Sequence, residues 1–128
     1  MPEYDAENYN PPAPVAYVTL RNPATGAVLP NIPMLIDTGS DTTLLPSEAV
    51  GKLGVAAEEK TGFEVQVFDG DTKFLRIVKL DLLVLGKTFK GEYLLVDRPI
   101  GILGRNVLNN IRILFDGPRG KWDEQKHT

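Results

Sequence analysis

Apolar and polar residues alternate with a period of two through most of this chain, the pattern of strands that bury one face. The first such run is VAYVTLR, residues 15–21. A turn cluster, NPATG, separates it from AVLPNIPMLID, residues 27–37, which reads as the returning arm of a hairpin. Pro30 and Pro33 cannot donate to a ladder, so their part of the run is expected at an edge or a bulge. LLP, residues 44–46, is a short apolar strand, and SEAVGKLG, residues 47–54, fits about two helical turns with Ser47 as N-cap and Gly54 as stop. GFEVQVF (62–68) and KFLRIVKLDLLVL (73–85) form a further hairpin across DGDT, because Asp-Gly suits turns that need positive φ. The second of these runs becomes apolar on both faces toward its end, as a strand does on entering a core. GKT turns the chain into the strand FKGEYLLVD (89–97). RPIGILGRNVLNNIRILFDG then predicts a strand, a turn with two glycines, a short helix near Arg105 to Asn109, and a last strand from Arg112 to Phe115.

These elements describe one all-β domain, and 128 residues leave no room for a second core. Twelve Gly and ten Pro agree with many turns rather than long helices. Residues 1–14 hold four prolines and few aliphatics and read as an extended arm; residues 15–116 are the domain, and 117–128 a polar tail. The net charge of −3 gives no electrostatic footprint for nucleic acid or an anionic membrane, and neither is expected as a partner. No apolar run approaches the roughly 20 residues of a bilayer span, and the acidic, polar N-terminus is unlike a signal peptide. A soluble, cytoplasmic protein is the expectation.

Composition also removes several chemistries. Without cysteine there is no disulfide, thiolate metal site or Cys nucleophile. The only histidine, His127, is the penultimate residue, a poor support for a Ser-His-Asp or zinc site. No metal or organic cofactor is implied.

One stretch stands out chemically. MLIDTGSDTTLLP, residues 34–46, drives Asp37 to the end of an apolar strand, directly before a Thr-Gly-Ser turn. A carboxylate is rarely buried without compensation, so Asp37 is either an Asx-turn residue or a group held for chemistry. The following glycine lets backbone N–H groups approach the carboxylate closely, and the threonine hydroxyl can rigidify the turn.

LIDTGSDTTLLP, then an acidic-glycine hairpin, then IGILGRNVLNNIRILF resemble, in that order, the single-domain retropepsins, the retroviral-type aspartic proteases. The resemblance spans about residues 15–115. It implies an all-β retropepsin-like acid protease fold: a closed or partly open β-barrel with one flap hairpin and a short C-terminal helix. By the same resemblance Asp37 matches the catalytic aspartate, Thr38 the threonine that locks two active-site loops across a dimer, and Gly39 the glycine whose amide supports the carboxylate. Ser40 stands where many retroviral members have alanine and pepsin-like enzymes serine. A hydroxyl there is expected to donate to the carboxylate and lower its pKa. Asp41 matches an aspartate that contacts substrate backbone and pairs with the arginine of the G-R-N motif, here Arg105. The flap corresponds to about residues 62–78, with Asp69, Gly70 and Asp71 at a substrate-facing tip that carries fewer glycines and more acids than is usual in the family.

D-T-G occurs once, whereas aspartic protease chemistry uses two facing carboxylates, so the resemblance implies a homodimer that supplies Asp37 twice. Family dimers interleave terminal strands, for which the segment near Val15 and Ile111 to Phe115 are the candidates here. The resulting expectation is an aspartic endopeptidase cleaving extended peptides with a water activated by the Asp37 pair. The alternative is a catalytically weak retropepsin-like module for dimerisation or peptide binding, with Asp37 kept for architecture. A phosphate-binding Asp-x-Gly-Ser turn of an actin-like ATPase would need a much larger chain and further phosphate loops.

Overall fold

The computed structural model describes residues 1–66 and 72–126, those at 59–66 and 72–75 by their backbone alone. Its strands are β1 (Val15–Arg21), β2 (Val28–Ile36), β3 (Leu44–Pro46), β4 (Glu58–Gln66), β5 (Thr72–Val84), β6 (Lys87–Val96), β7 (Gly101–Leu103), β8 (Ile113–Asp116) and β9 (Lys121–Glu124), with helices α1 (Ser47–Leu53) and α2 (Arg105–Leu108). Seven strands form one sheet in the order β1-β2-β7-β3-β6-β5-β4, and β1 also pairs with β5, which closes the barrel and leaves β4 outside it. The 13-residue β5 makes this possible. Its first half pairs with β4 through Ile77↔Glu58, and its second half pairs with β1 through Asp81↔Arg21, Leu82↔Leu20 and Leu83↔Thr19.

Period-two alternation sets what faces inward. Ala16, Val18 and Leu20 on β1, Ile32, Met34 and Ile36 on β2, and Val78, Leu80, Leu82 and Val84 on β5 are all buried in one core cluster. Each large aliphatic so buried contributes about 1.5–3 kcal/mol relative to exposure. The prolines of β2 sit as expected. β2 meets β7 only from Met34 onward, so Pro30 and Pro33 precede the part of the strand that is paired on both sides. No helix among the described residues is long and apolar enough to cross a membrane.

Two expectations are corrected. Helix α1 stops at Gly54 in the left-handed conformation (φ 74°), but Ser47 is its first helical residue rather than its N-cap. β3 runs straight into the helix, so the extended Pro46 takes the cap position, and the Ser47 hydroxyl donates to Asp97 Oδ1 (2.5 Å). Second, the stretch after Asp116 is no tail: a 3₁₀ turn, Gly117–Arg119, leads into β9, which pairs antiparallel with β8. Trp122, 2% exposed, anchors it in the core, a single apolar residue too isolated to show as a pattern. The N-terminal arm, read as extended, lies along β9. Trp122 N–H donates to Pro2 O (3.0 Å) and Tyr4 N–H to Gly120 O (2.7 Å), after which Asp5 and Ala13 exchange two backbone hydrogen bonds (2.7 and 3.1 Å).

The barrel seam carries a buried charge pair. Asp81, 5% exposed, lies directly across from Arg21, whose Nε and Nη2 each donate to Asp81 Oδ2 at 3.0 Å. Nearby Tyr93 is 4% exposed and donates its hydroxyl to Phe89 O (2.9 Å). Burial, reinforced by the negative charge of Asp81, pushes the Tyr93 phenol up to about 12.

Two outcomes are expected. Arg21→Met leaves a buried carboxylate unpaired and should lower the unfolding free energy by about 2–3 kcal/mol, at the low end for a broken buried pair because the arginine is partly solvated; Asp81→Asn should cost less. Urea denaturation of both variants checks this order. A raised Tyr93 pKa means the folded state keeps a proton that the unfolded state releases above about pH 10. Its contribution to stability is therefore complete below that pH and is lost as pH rises toward 12. Tyr93→Phe should flatten the alkaline fall in stability and remove the last tyrosinate step in an absorbance titration.

Candidate active site

β2 and β3 are consecutive in sequence but not neighbours in the sheet. β7 lies between them, parallel to β2 through Met34↔Gly101, Leu35↔Ile102 and Ile36↔Leu103, and antiparallel to β3 through Leu44↔Ile102. The connecting loop, residues 37–43, therefore crosses over the end of β7, where the chain turns into α2. Asp37 stands at its start, half-buried, with its N–H donating to Leu103 O (3.1 Å).

Close contact between loop and helix start requires glycines. A Cβ on Gly104 would fall 2.0 Å from Thr42 O, and one on Gly101 would fall 2.5 Å from Leu44 O. With neither present, the two segments lock together. Arg105 N–H donates to Ser40 O (2.8 Å) and Arg105 Nη1 to Thr38 O (2.7 Å). Thr43 Oγ1 accepts from Gly104 N–H (3.0 Å) and donates to Asn106 Oδ1 (2.7 Å) in a buried position. Ser40 N–H closes the turn onto Asp37 O (3.2 Å).

The Asp37 carboxylate is held by one of its oxygens. Gly39 N–H donates to Oδ1 at 2.9 Å, and a Cβ on Gly39 would crowd the same oxygen at 3.1 Å. Among the described residues Oδ2 has no hydrogen-bond partner, and neither has the hydroxyl of exposed Thr38. One carboxylate of this kind can accept a proton or orient a water; it cannot also present a second, protonated carboxyl to the same water.

Two contacts differ from expectation. The Ser40 hydroxyl donates to Thr42 O (2.7 Å), which uses its one proton and removes it as a donor to Asp37. Arg105 does not pair with exposed Asp41; its backbone is fixed on Ser40 O, and its guanidinium reaches the Thr38 carbonyl instead. Asp69, Gly70 and Asp71 lie outside the described residues, although the arms leading to them pair as the hairpin β4–β5 up to Gln66↔Thr72. Sequence reading gave no role to Thr43 or Asn106. A signal existed in a hydroxyl residue directly before an apolar strand and in the third position of G-R-N, but their 63-residue separation hides the bond.

Solved structures that share this architecture include the EIAV protease complexed with the inhibitor HBY-793, which matches with a TM-score of 0.60 at 23% sequence identity, over 84% of this chain and 91% of that one. No protein-family model matches the sequence, and no curated protein matches it either. The chain thus has the all-β, retropepsin-like barrel fold with a short helix near its C-terminal end.

The brace on the loop can be tested without any substrate. Thr43→Val removes a buried acceptor and donor together and should destabilise the protein by about 2 kcal/mol, whereas Thr43→Ser should recover most of that. Gly104→Ala, with nowhere to put its methyl, should lose more than either, about 3 kcal/mol or above. Thermal or urea unfolding of the three variants reads the order.

Proposed function

We propose that this protein is an aspartic endopeptidase whose reaction centre forms between two copies of the chain. The observation that supports this best is the single Asp37, set at the end of β2 in a loop braced by β7 and α2, within a fold shared with a retroviral protease. Two such carboxylates beside a two-fold axis cannot both ionise cheaply at short range, so the pair holds one proton. The ionised member takes a proton from water as that water attacks the scissile carbonyl carbon. The protonated member donates to the carbonyl oxygen and stabilises the charge that develops there.

The other residues take supporting roles in this reading. Gly39 fixes Oδ1 of each carboxylate, leaving Oδ2 toward the shared water. Thr38, whose hydroxyl has no partner among the described residues, bonds across the axis to the other active-site loop. Asp41, exposed and not paired with Arg105, is available to the backbone N–H groups of an extended peptide. The β4–β5 hairpin covers the bound peptide, and Asp69, Gly70 and Asp71 are the substrate-contacting residues that the family resemblance implies for it. Arg105 acts on the loop carbonyl of Thr38 and so positions the carboxylate without touching substrate.

The test compares the parent with Asp37→Asn on a peptide library at acidic and near-neutral pH. Cleavage by the parent should fall by at least ~10²–10⁴-fold in the variant, the scale of lost general acid–base catalysis. The parent's specific activity should also drop on dilution, since two chains build one site. Peptide binding by both proteins with hydrolysis by neither would identify a binding module instead.

A further inference from the structure

The proposed reaction centre needs a second chain, and the terminal sheet has a strand edge that could receive one. Residues 2–4 of the arm, β9 and β8 lie side by side in that order, joined by Trp122 N–H to Pro2 O, Tyr4 N–H to Gly120 O, and the β8–β9 ladder. Both edges of β9 are therefore filled from its own chain, and no arm is left over to interleave with a partner. β8 is different. Among the described residues no strand pairs with its outer edge. Leu114 and Phe115, two of the five large hydrophobics exposed on the described surface, are adjacent there at 49% and 43% exposure. An apolar strand edge left open is a template for another strand, and soluble proteins normally blunt such edges with charge or proline.

The ladder also fixes which backbone groups point outward. Gln125 N–H donates to Arg112 O (2.8 Å), and Arg112 lies opposite Gln125 in the antiparallel register that pairs Ile113 with Glu124. Hydrogen-bonding direction alternates along such a strand, so Arg112, Leu114 and Asp116 turn their polar groups toward β9, and Ile113 and Phe115 turn theirs outward. Two copies related by a two-fold axis must match outward groups with outward groups, which allows an axis through Ile113, Leu114 or Phe115 only. With the axis at Ile113, Arg112 would face the partner's Leu114; with the axis at Phe115, Leu114 would face the partner's Asp116. Only the axis at Leu114 sets Arg112 against the partner's Asp116, Ile113 against the partner's Phe115, and Leu114 against the partner's Leu114. Arg112 is exposed and makes no ion pair with a described residue of its own chain.

We propose that β8 pairs edge to edge with β8 of a second copy about a two-fold axis at Leu114, forming one continuous sheet of arm, β9, β8 and their symmetry mates. This rests on the homodimer reading and adds its geometry: the strands are not interleaved, and the central contact reads Arg-Ile-Leu-Phe-Asp against itself. Opposite charges then close both ends of the apolar pair, and the outward N–H and C=O groups of Ile113 and Phe115 are satisfied.

The absence of cysteine makes the test direct. In this register the two Leu114 positions form a non-hydrogen-bonded antiparallel pair, with Cα atoms about 4.5 Å apart, within disulfide range. Full-length Leu114→Cys should form a covalent dimer under mild oxidation at least tenfold faster than Val28→Cys, an exposed position in another strand. Arg112→Asp should weaken self-association by roughly tenfold in sedimentation, and Arg112→Asp with Asp116→Arg should restore it. If the parent is a dimer that hydrolyses peptide through Asp37 while Leu114→Cys cross-links no faster than Val28→Cys, the β8 contact is wrong and the protease reading stands. A parent that stays monomeric at every concentration overturns both. Because Asp116 also accepts Arg119 N–H and lies 3.6 Å from Arg119 Nε, a partly exposed pair that it can share with Arg112 of a second copy, circular dichroism of the double variant separates a misfolded turn from a lost contact.

Discussion

Placing β7 between β2 and β3 is the constraint from which the site follows. Adjacent strands lie about 4.8 Å apart, so an intervening strand holds the ends of β2 and β3 nearly twice that distance from each other. No tight hairpin spans such a gap, and the chain must cross it as a longer loop, residues 37–43. The backbone groups of that loop cannot be satisfied by a ladder, and they bond instead to what emerges from β7. Leu103 and Arg105 bond the loop backbone, Gly104 and Asn106 bond the Thr43 hydroxyl, and Gly104 is what allows the two backbones to approach. The geometry around Asp37 is thus a consequence of sheet order before it is a matter of side-chain choice.

Barrel closure is a separate problem with a separate solution. β5 must leave β4 and join β1, and the junction is marked by Arg21 across from Asp81. A buried carboxylate is a poor source of net stability, since desolvation offsets much of its attraction to the guanidinium. What it provides is register. A one-residue slip of β1 on β5 would leave Asp81 opposite Leu20 or Asn22 instead of Arg21 and turn Leu20 away from the core. The charge pair and the alternation therefore penalise the same error, at a point remote in sequence from the loop that holds Asp37.

Much of this was legible from residues alone because it depends on short-range pattern. Period-two alternation located the strands, Gly54 ended α1, and the paired D-T-G-S and G-R-N motifs, by resemblance, pointed to the fold and to the loop. What the sequence hid were interactions that join distant residues or depend on a single one. The Thr43–Asn106 bond, the redirection of the Ser40 hydroxyl to Thr42 and of Arg105 to the Thr38 carbonyl depend on which acceptor the folded loop brings to each donor. Trp122 gave β9 its buried anchor inside a run that otherwise reads as solvated, and the arm's pairing with β9 follows from that strand rather than from its own composition.

Bonding within the loop divides in a way that bears on its use. The carbonyls of Asp37, Thr38, Ser40 and Thr42 all accept hydrogen bonds, and the N–H groups of Asp37, Gly39 and Ser40 all donate. Against this, the second oxygen of Asp37, the hydroxyl of Thr38 and the carboxylate of Asp41 have no partner among the described residues. Solvent can satisfy such groups in the isolated chain, yet a turn so heavily braced gains no further rigidity from leaving them open. A loop whose backbone is braced at these points while these three side-chain groups stay open is pre-organised for groups that arrive from outside it, because little ordering remains to oppose their binding. α2 ties this platform to the terminal sheet, since the same Arg105 that bonds Ser40 and Thr38 begins the segment leading into β8. A second chain seated on β8 would therefore bear on the loop through a connection of few residues, with little slack between assembly and the placement of Asp37.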